Sequence, residues 1–555
     1  MMLSGHGAPC SAHLKLVCLP MPMHSLERVE ILTGLLAVVV ALVAAARLLK
    51  IPFPILLVLG GLALGFIPGL PALQMPPDLV LFIFLPPLIY DQAWFTSWRD
   101  FRANLRPILL LAIGLVVTTT LAIAAVAHAL IPGVSWPVAF VLGAVVAPTD
   151  TVAAGAIANQ LHLPRRIVTV LEGESLVNDA SALVLYGLAV AAVVTGHFSL
   201  GHALLSFVRV CIGGIALGLA LGWLCGQIFR SLLRLNDAAI ANTAGLLAPF
   251  IAYLPAEQLG LSGVLAVVAM GLYLGRHEAG ILSAEVRLQA AGFWKMLVFL
   301  LNGLLFILVG LQLKTIMARL AHHPFQDLLR DAGIICLTVI VVRIAWVFPA
   351  TYLPRWLIPV LRRNDPAPGW RLPAVLAWTG IRGGISLTAA LAIPLTAQGA
   401  AFPQRDLILF LTFSVILTTL VLQGLSLPPL IKVLGISDDS RTENEETRAR
   451  LTVAQTAREW LEGIGEDDDS VSPDLLVSLR GHYESQIERY QARIDAADSQ
   501  VGLEQSRQSS LSLKRDIIAA QRDALIHLRD QGDISDDILH RIENDLDLEE
   551  QRITP

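Results

Sequence analysis

Leu171-Glu172-Gly173-Glu174-Ser175-Leu176-Val177-Asn178-Asp179-Ala180-Ser181 lies inside an apolar run that extends over 166–194. Such a run is long enough to cross a bilayer, which takes about 20 residues, yet this one carries three carboxylates. Each ionisable group at mid-membrane costs at least about 2.5 kcal/mol. It persists there where it is paired, faces water or does chemistry. On a helix Glu172, Ser175 and Asp179 share one face, and Asn178 follows Glu174 by four residues on an adjacent face. Asp179 is the acid that packing explains least. Glu172, nearest the basic Arg165-Arg166 loop, reads as interfacial, and Glu174 suits a buried ion pair.

One span earlier stands Val146-Ala147-Pro148-Thr149-Asp150-Thr151-Val152. Pro148 removes a backbone donor and frees a carbonyl one turn earlier. A helix broken here offers carbonyls, hydroxyls and a carboxylate together, an all-oxygen shell of the kind hard monovalent cations take. Broken helices at mid-depth are a recurring transporter device. Farther along, Trp378-Thr379-Gly380-Ile381-Arg382-Gly383-Gly384-Ile385-Ser386 places three glycines around an arginine. Glycine weakens a helix and allows close backbone approach. Arg382 needs an anion, and Glu174 is the expected one, the pair fixing helix positions rather than moving charge. Arg343, inside another apolar run, is expected to pair or to snorkel to the interface. Asp91 ends the Pro-kinked run Phe84-Leu85-Pro86-Pro87-Leu88-Ile89-Tyr90-Asp91, where an interfacial acid near Arg99 and Arg102 is one reading and a functional acid the other.

The rest of the chain agrees with a membrane class. Of 555 residues, 55% are hydrophobic and 15% charged, against roughly 25% charge in soluble proteins; the mean hydropathy is +0.65. Disorder over most of the chain and a soluble multidomain enzyme are both excluded by this much apolar surface. Thirteen candidate spans follow: 31–49, 51–70, 79–95, 107–130, 137–158, 166–194, 203–229, 238–255, 261–275, 293–313, 332–353, 372–395 and 406–434. The loops on one side hold 16 Lys and Arg and the alternate loops 4. The positive-inside rule makes the first set cytoplasmic, with the N-terminus outside and the C-terminal tail in the cytoplasm of a cell whose plasma (bacterial inner) membrane the chain crosses.

The net charge of −5 divides unevenly. Residues 436–555 carry 28 acidic and 14 basic side chains, while residues 1–435 carry 17 and 26. Three regions result: an N-terminal extension, 1–28, expected to be disordered; a transmembrane domain, 29–435; and an acidic helical tail, 436–555. Tail helices are expected at 443–463, 473–499, 508–530 and 534–550. In the second, Leu476, Leu479, Tyr483, Ile487 and Tyr490 form an amphipathic stripe, the mark of a helical hairpin packing on itself or of a dimer-contacting or regulatory face. The five cysteines show no CxxC-type spacing, so neither a disulfide framework nor a structural metal site is expected.

At these motifs the sequence resembles the monovalent cation:proton antiporter family that contains the sodium/proton exchangers, its bacterial long-tailed branch in particular. The resemblance rests on PTDTVA, GESLVNDA, IRGGIS, FLPPLIYD and LNGLLFILVG, and covers about 30–435. It implies an all-α polytopic fold of about 13 spans with inverted repeats and two broken helices crossing at mid-membrane. It also implies a homodimer with a moving six-helix core. By the same resemblance Asp179 is the essential cation- and proton-binding carboxylate, Asp150 the second site acid, and Thr149 and Ser175 further ligands of Na+ or another monovalent cation. Asn178 stands where electrogenic relatives carry a second Asp, which points to electroneutral exchange. Glu174 and Arg382 match the family's buried ion pair, and Asp91 a peripheral acid linked to the site.

The expected function is therefore exchange of Na+, with Li+ or K+ as alternatives, for protons by alternating access. Cation and proton compete at Asp179 and Asp150. No cofactor and no nucleic-acid partner is expected. A channel would show a filter of carbonyl or charge rings, and no such repeat is present. No HExxH, GxSxG or nucleophilic-cysteine context supports an enzyme. A cation or pH sensor signalling through the tail is the remaining alternative.

Overall fold

A computed structural model describes residues 23–49, 51–67, 77–150, 155, 163–196, 200–232, 238–281, 284–436, 441–463 and 473–499, with isolated positions beyond 519. The chain divides into a unit ending at Asp438 and a second beginning at Asp439.

The first unit is helical: α1 (Met23–Leu49), α2 (Phe53–Gly65), α3 (Pro77–Phe95), α4 (Trp98–Ala103), α5 (Leu105–Leu130), α6 (Trp136–Val146), α7 (Arg165–Thr195), α8 (Leu200–Leu232), α9 (Ala238–Gln258), α10 (Gly263–Ile281), α11 (Ala284–Arg319), α12 (Phe325–Leu357), α13 (Pro359–Asn364), α14 (Arg371–Trp378), α15 (Gly384–Leu391) and α16 (Arg405–Leu434). Helix is what the membrane demands, because every backbone polar group must be satisfied within the segment. Among the described residues seven helices are long and apolar enough to cross a membrane, and shorter apolar helices accompany them. The chain is thus an all-helical membrane protein.

Helices pack through small residues, as they do where lipid removes the hydrophobic drive between them. On α2 Gly61 meets the Ile307 carbonyl of α11, and Gly310 of α11 meets the Val58 carbonyl of α2. A methyl at either position would collide with backbone. π-Helical turns interrupt α5 at Leu110–Leu115 and α16 at Thr419–Gln423. A two-stranded hairpin, Thr396–Ala397 with Ala400–Ala401, follows α15; its turn residues Gln398 and Gly399 both have positive φ, the geometry two-residue hairpins favour.

The first expected boundary shifts, and the two runs expected to hold broken helices are interrupted. The first helix begins at Met23, inside the 1–28 extension, and residues 1–22 lie outside the described residues. The run 372–395 is not one helix but two, separated by Thr379–Gly383. The run 137–158 leaves helix after Val146, and most of 151–162 lies outside the described residues.

The second unit contains α17 (Arg441–Glu462) and α18 (Pro473–Ser499), which pack on each other. Leu476 and Ile487 are buried and Leu479, Tyr483 and Tyr490 half-buried, so the stripe faces inward. Arg480 Nη2 donates to the Leu461 carbonyl at 3.0 Å. The helices expected at 508–530 and 534–550 lie outside the described residues apart from isolated positions.

Candidate ion site

Two interrupted helices meet inside the first unit. After α6 the segment Ala147–Asp150 is unwound, and between α14 and α15 so is Thr379–Gly383. In a continuous helix the Asp150 N–H would bond the Val146 carbonyl four residues back. It donates instead to the Ile381 carbonyl, at 2.8 Å. The orphaned Val146 carbonyl accepts from Arg382 Nε at 3.2 Å. The crossing therefore satisfies groups that each break exposes. Gly383 is needed for the approach, since a Cβ there would overlap the Asp150 carboxylate.

Arg382 is fully buried. Besides Val146 it donates through Nη1 to the Gly380 carbonyl, and its backbone N–H donates to Thr419 Oγ1 at 3.1 Å. It does not bond Glu174. That carboxylate is taken by Arg343 of α12, whose Nη1 and Nη2 reach Oε1 and Oε2 at 2.5 and 3.0 Å. The expected Glu174–Arg382 pair is thus corrected to Glu174–Arg343, both members being essentially inaccessible. Two-pronged geometry makes Arg343 the better partner, and Arg382 is occupied by carbonyls the broken helices leave free. Arg343 Nε also donates to the Leu376 carbonyl, 3.2 Å, at the end of α14. Its position midway along an apolar helix was the available signal. Thr419, in the π turn of α16, was not anticipated; the polar Thr419 and Gln423 in an apolar run were its trace in the sequence.

Thr149 joins the unwound strand to α7. Its hydroxyl donates to Glu174 Oε1 at 3.0 Å and accepts from Asn178 Nδ2 at 2.7 Å. Its carbonyl accepts from Ser175 Oγ at 3.2 Å. Helical spacing brings Glu174, Ser175 and Asn178 to the same strand.

Asp179 is 1% exposed, and among the described residues neither of its carboxylate oxygens has a hydrogen-bond partner. Buried polar atoms are otherwise nearly always bonded. Asp150 and Glu174 are its electrostatic neighbours. The structure thus brings together Thr149, Asp150, Glu174, Ser175, Asn178, Asp179 and Arg382. Asp91, half-buried on α3, bonds none of them among the described residues. The arrangement offers oxygen ligands beside a carboxylate that no described residue satisfies with a hydrogen bond.

At the N-terminal end of α7, Asp365 receives three arginines. Arg106 Nη2 and Arg355 Nη2 donate to its Oδ2 at 2.6 and 2.8 Å, and Arg166 Nη2 to its Oδ1 at 2.9 Å. Burial would raise this carboxyl, but the hydrogen bond and charge of Arg166, with the charges of Arg355 and Arg106, hold it below the usual carboxylate range. The hub fastens α7 to α5 and α12.

Comparison with known proteins agrees with this architecture. The family model described as sodium/hydrogen exchanger, transmembrane, matches residues 34–433. An uncharacterised Na+/H+ exchanger of Mycobacterium tuberculosis is 38% identical over 93% of this chain and 96% of its own length. A sodium, potassium, lithium and rubidium/H+ antiporter of Bacillus pumilus is 35% identical over 80% of this chain and 68% of its own. The sodium proton antiporter MjNhaP1 of Methanocaldococcus jannaschii has a similar fold, with a TM-score of 0.56 at 21% identity, over 74% of this chain and all of that one. With the family model spanning most of the chain and these relatives covering it, the protein belongs to the sodium/hydrogen exchanger family, a family of multi-pass membrane transporters rather than enzymes.

Proposed function

We propose that the chain exchanges Na+, or another small monovalent cation, for a proton, one for one, with both competing at Asp179 and Asp150. The observation that carries this reading is the Asp179 carboxylate, buried without a hydrogen-bond partner among the described residues beside the crossing of two unwound segments. A buried carboxylate so placed needs a positive occupant. A proton on the carboxyl or a cation on its oxygens supplies one, and the two exclude each other.

Charge sets the stoichiometry. Asp150, Glu174 and Asp179 oppose Arg343 and Arg382, so the fully ionised group is one negative charge in excess. One proton or one monovalent cation neutralises it. The neutral form crosses the hydrophobic barrier far more readily than the empty, charged one, which couples the two flows. Asn178 supports this count by contributing an amide where another carboxylate would add charge. Alternating access then comes from movement of the elements that hold the crossing. The excess of basic residues on one set of loops orients those loops toward the cytoplasm, and the family resemblance supports a homodimer in the plasma membrane. The relative from Bacillus pumilus, named for four alkali cations, favours testing Na+, Li+ and K+ alike.

Purified protein in liposomes carrying a pH-sensitive dye tests the reading. Cation-driven proton flux that is insensitive to membrane potential is the expected result. Rapid cation flux without proton movement would mean a channel. No flux under any gradient would favour a sensor; either result overturns the proposal.

A further inference from the structure

Glu172 lies on the same face of α7 as Asp179, two turns nearer the Arg165 end. Seven residues advance a helix by ~10 Å and return almost to the same direction. Along this face the surroundings change abruptly. Glu172 is exposed, and Val168 and Thr169 before it are half-buried. Ser175 and Leu176, one turn further in, are buried, as is Asp179. Leu176 packs in one apolar cluster with Leu85, Ile89 and Tyr90 of α3. Val168 packs against a different cluster, containing Leu163, Ile167 and Leu171. Glu172, an exposed position, thus lies along α7 between residues that belong to two separate apolar clusters.

The acid has no structural employment. Among the described residues Glu172 makes no ion pair or side-chain hydrogen bond. Arg165, seven residues earlier on the same face, is engaged by Asp100 of α4 at 2.8 Å, and Arg166 by Asp365 at 2.9 Å. Neither basic neighbour is spent on Glu172. An unpaired acid on the exposed face of a membrane helix is retained at low cost where that face meets water rather than lipid. An unpaired carboxylate on an exposed face beside low-dielectric apolar surface raises the local concentration of cations there.

We propose that Glu172 is the entry residue for the cytoplasmic approach to Asp179, holding monovalent cations at the mouth without being one of their final ligands. This rests on the exchange reading above. It acts on capture rather than on translocation, so its signature is a change in half-saturating cation concentration seen from one side only.

Everted membrane vesicles, which present the cytoplasmic face, and right-side-out vesicles would be compared for the wild type, Glu172→Gln and Glu172→Asp with NaCl at low ionic strength. For Glu172→Gln the half-saturating Na+ concentration at the cytoplasmic face is expected to rise about threefold to tenfold, with the maximal rate falling less than twofold. Glu172→Asp should restore the wild-type value. Added choline chloride should shrink the difference, since salt screens an exposed charge within ~10 Å at 0.1 M. The value from the opposite face should not move. An unchanged half-saturation in everted vesicles, or a fall in maximal rate alone, overturns the entry role while leaving exchange intact. Absence of coupled flux in the wild type overturns the exchange reading, and this proposal with it.

Discussion

Asp150 donates its main-chain N–H to the carbonyl of Ile381 across 2.8 Å, joining two unwound segments more than two hundred residues apart in sequence. The bond replaces the one that each interruption removes, and it holds the Asp150 side chain against Gly383. Substituting Gly383→Ala should therefore separate the segments. Overpacking of this kind costs about 1–3 kcal/mol, and cation-driven proton flux should fall at least tenfold because the Asp150 carboxylate is displaced directly. Thermal unfolding in detergent together with flux in liposomes measures both; near-wild-type flux would show that the close approach is not needed.

Asp179→Asn preserves shape and removes the charge. Its two oxygens have no hydrogen-bond partner to lose among the described residues, so expression and thermal stability should remain close to wild type. Exchange should be abolished, because an amide neither binds a proton at the operating pH nor compensates a cation. Dye-reported dequenching on addition of Na+ to vesicles containing the variant would refute the assignment.

Glu174 and Arg343 should behave as one unit. Removing either alone leaves a buried charge unpaired and is expected to destabilise by about 3–5 kcal/mol. The double variant Glu174→Ala with Arg343→Ala should cost much less than the two single effects added together. A parallel cycle with Arg382→Ala should show the smaller coupling, since Arg382 bonds carbonyls rather than the Glu174 carboxylate. Thermal-stability cycles distinguish the two partners, and equal coupling to both would contradict the geometry.

Asp365 offers a pH test outside the membrane spans. Its carboxyl is held below the ordinary range in the folded protein, so its contribution is fully present above the unfolded-state value, about 3.9. That contribution is lost as pH falls through the lower folded-state value. Asp365→Asn should lower the midpoint of thermal unfolding at neutral pH, and the difference from wild type should narrow under acid. A constant difference across the acid range would show that the charge on Asp365 does not supply the stability.

Much of the arrangement of the candidate site was legible in the sequence because its determinants are local. Pro148 and the Gly380, Gly383 and Gly384 cluster mark the interruptions, and the 3- and 4-residue spacing of Glu172, Ser175 and Asp179 places them on one face. Glu174's need for a buried cation was equally readable. Its identity was not, since both Arg343 and Arg382 sit in apolar runs and only relative helix placement separates them. The brace on Asp365 was illegible for the same reason, as two of its three partners, Arg106 and Arg166, lie 259 and 199 residues away in sequence.

The sequence by itself determined that this chain lives in a membrane, where its helices break, and which carboxylates are out of place there. These follow from hydrophobic run length, from missing donors at proline, and from the cost of an unpaired charge in lipid. Only the tertiary structure decided how those charges are shared. It gave Glu174 to Arg343 from 169 residues away, turned Arg382 toward the carbonyls of the crossing, and left Asp179 without a hydrogen-bond partner among the described residues. A charge's need for a partner is local, whereas the partner's direction and distance are set by how whole helices pack.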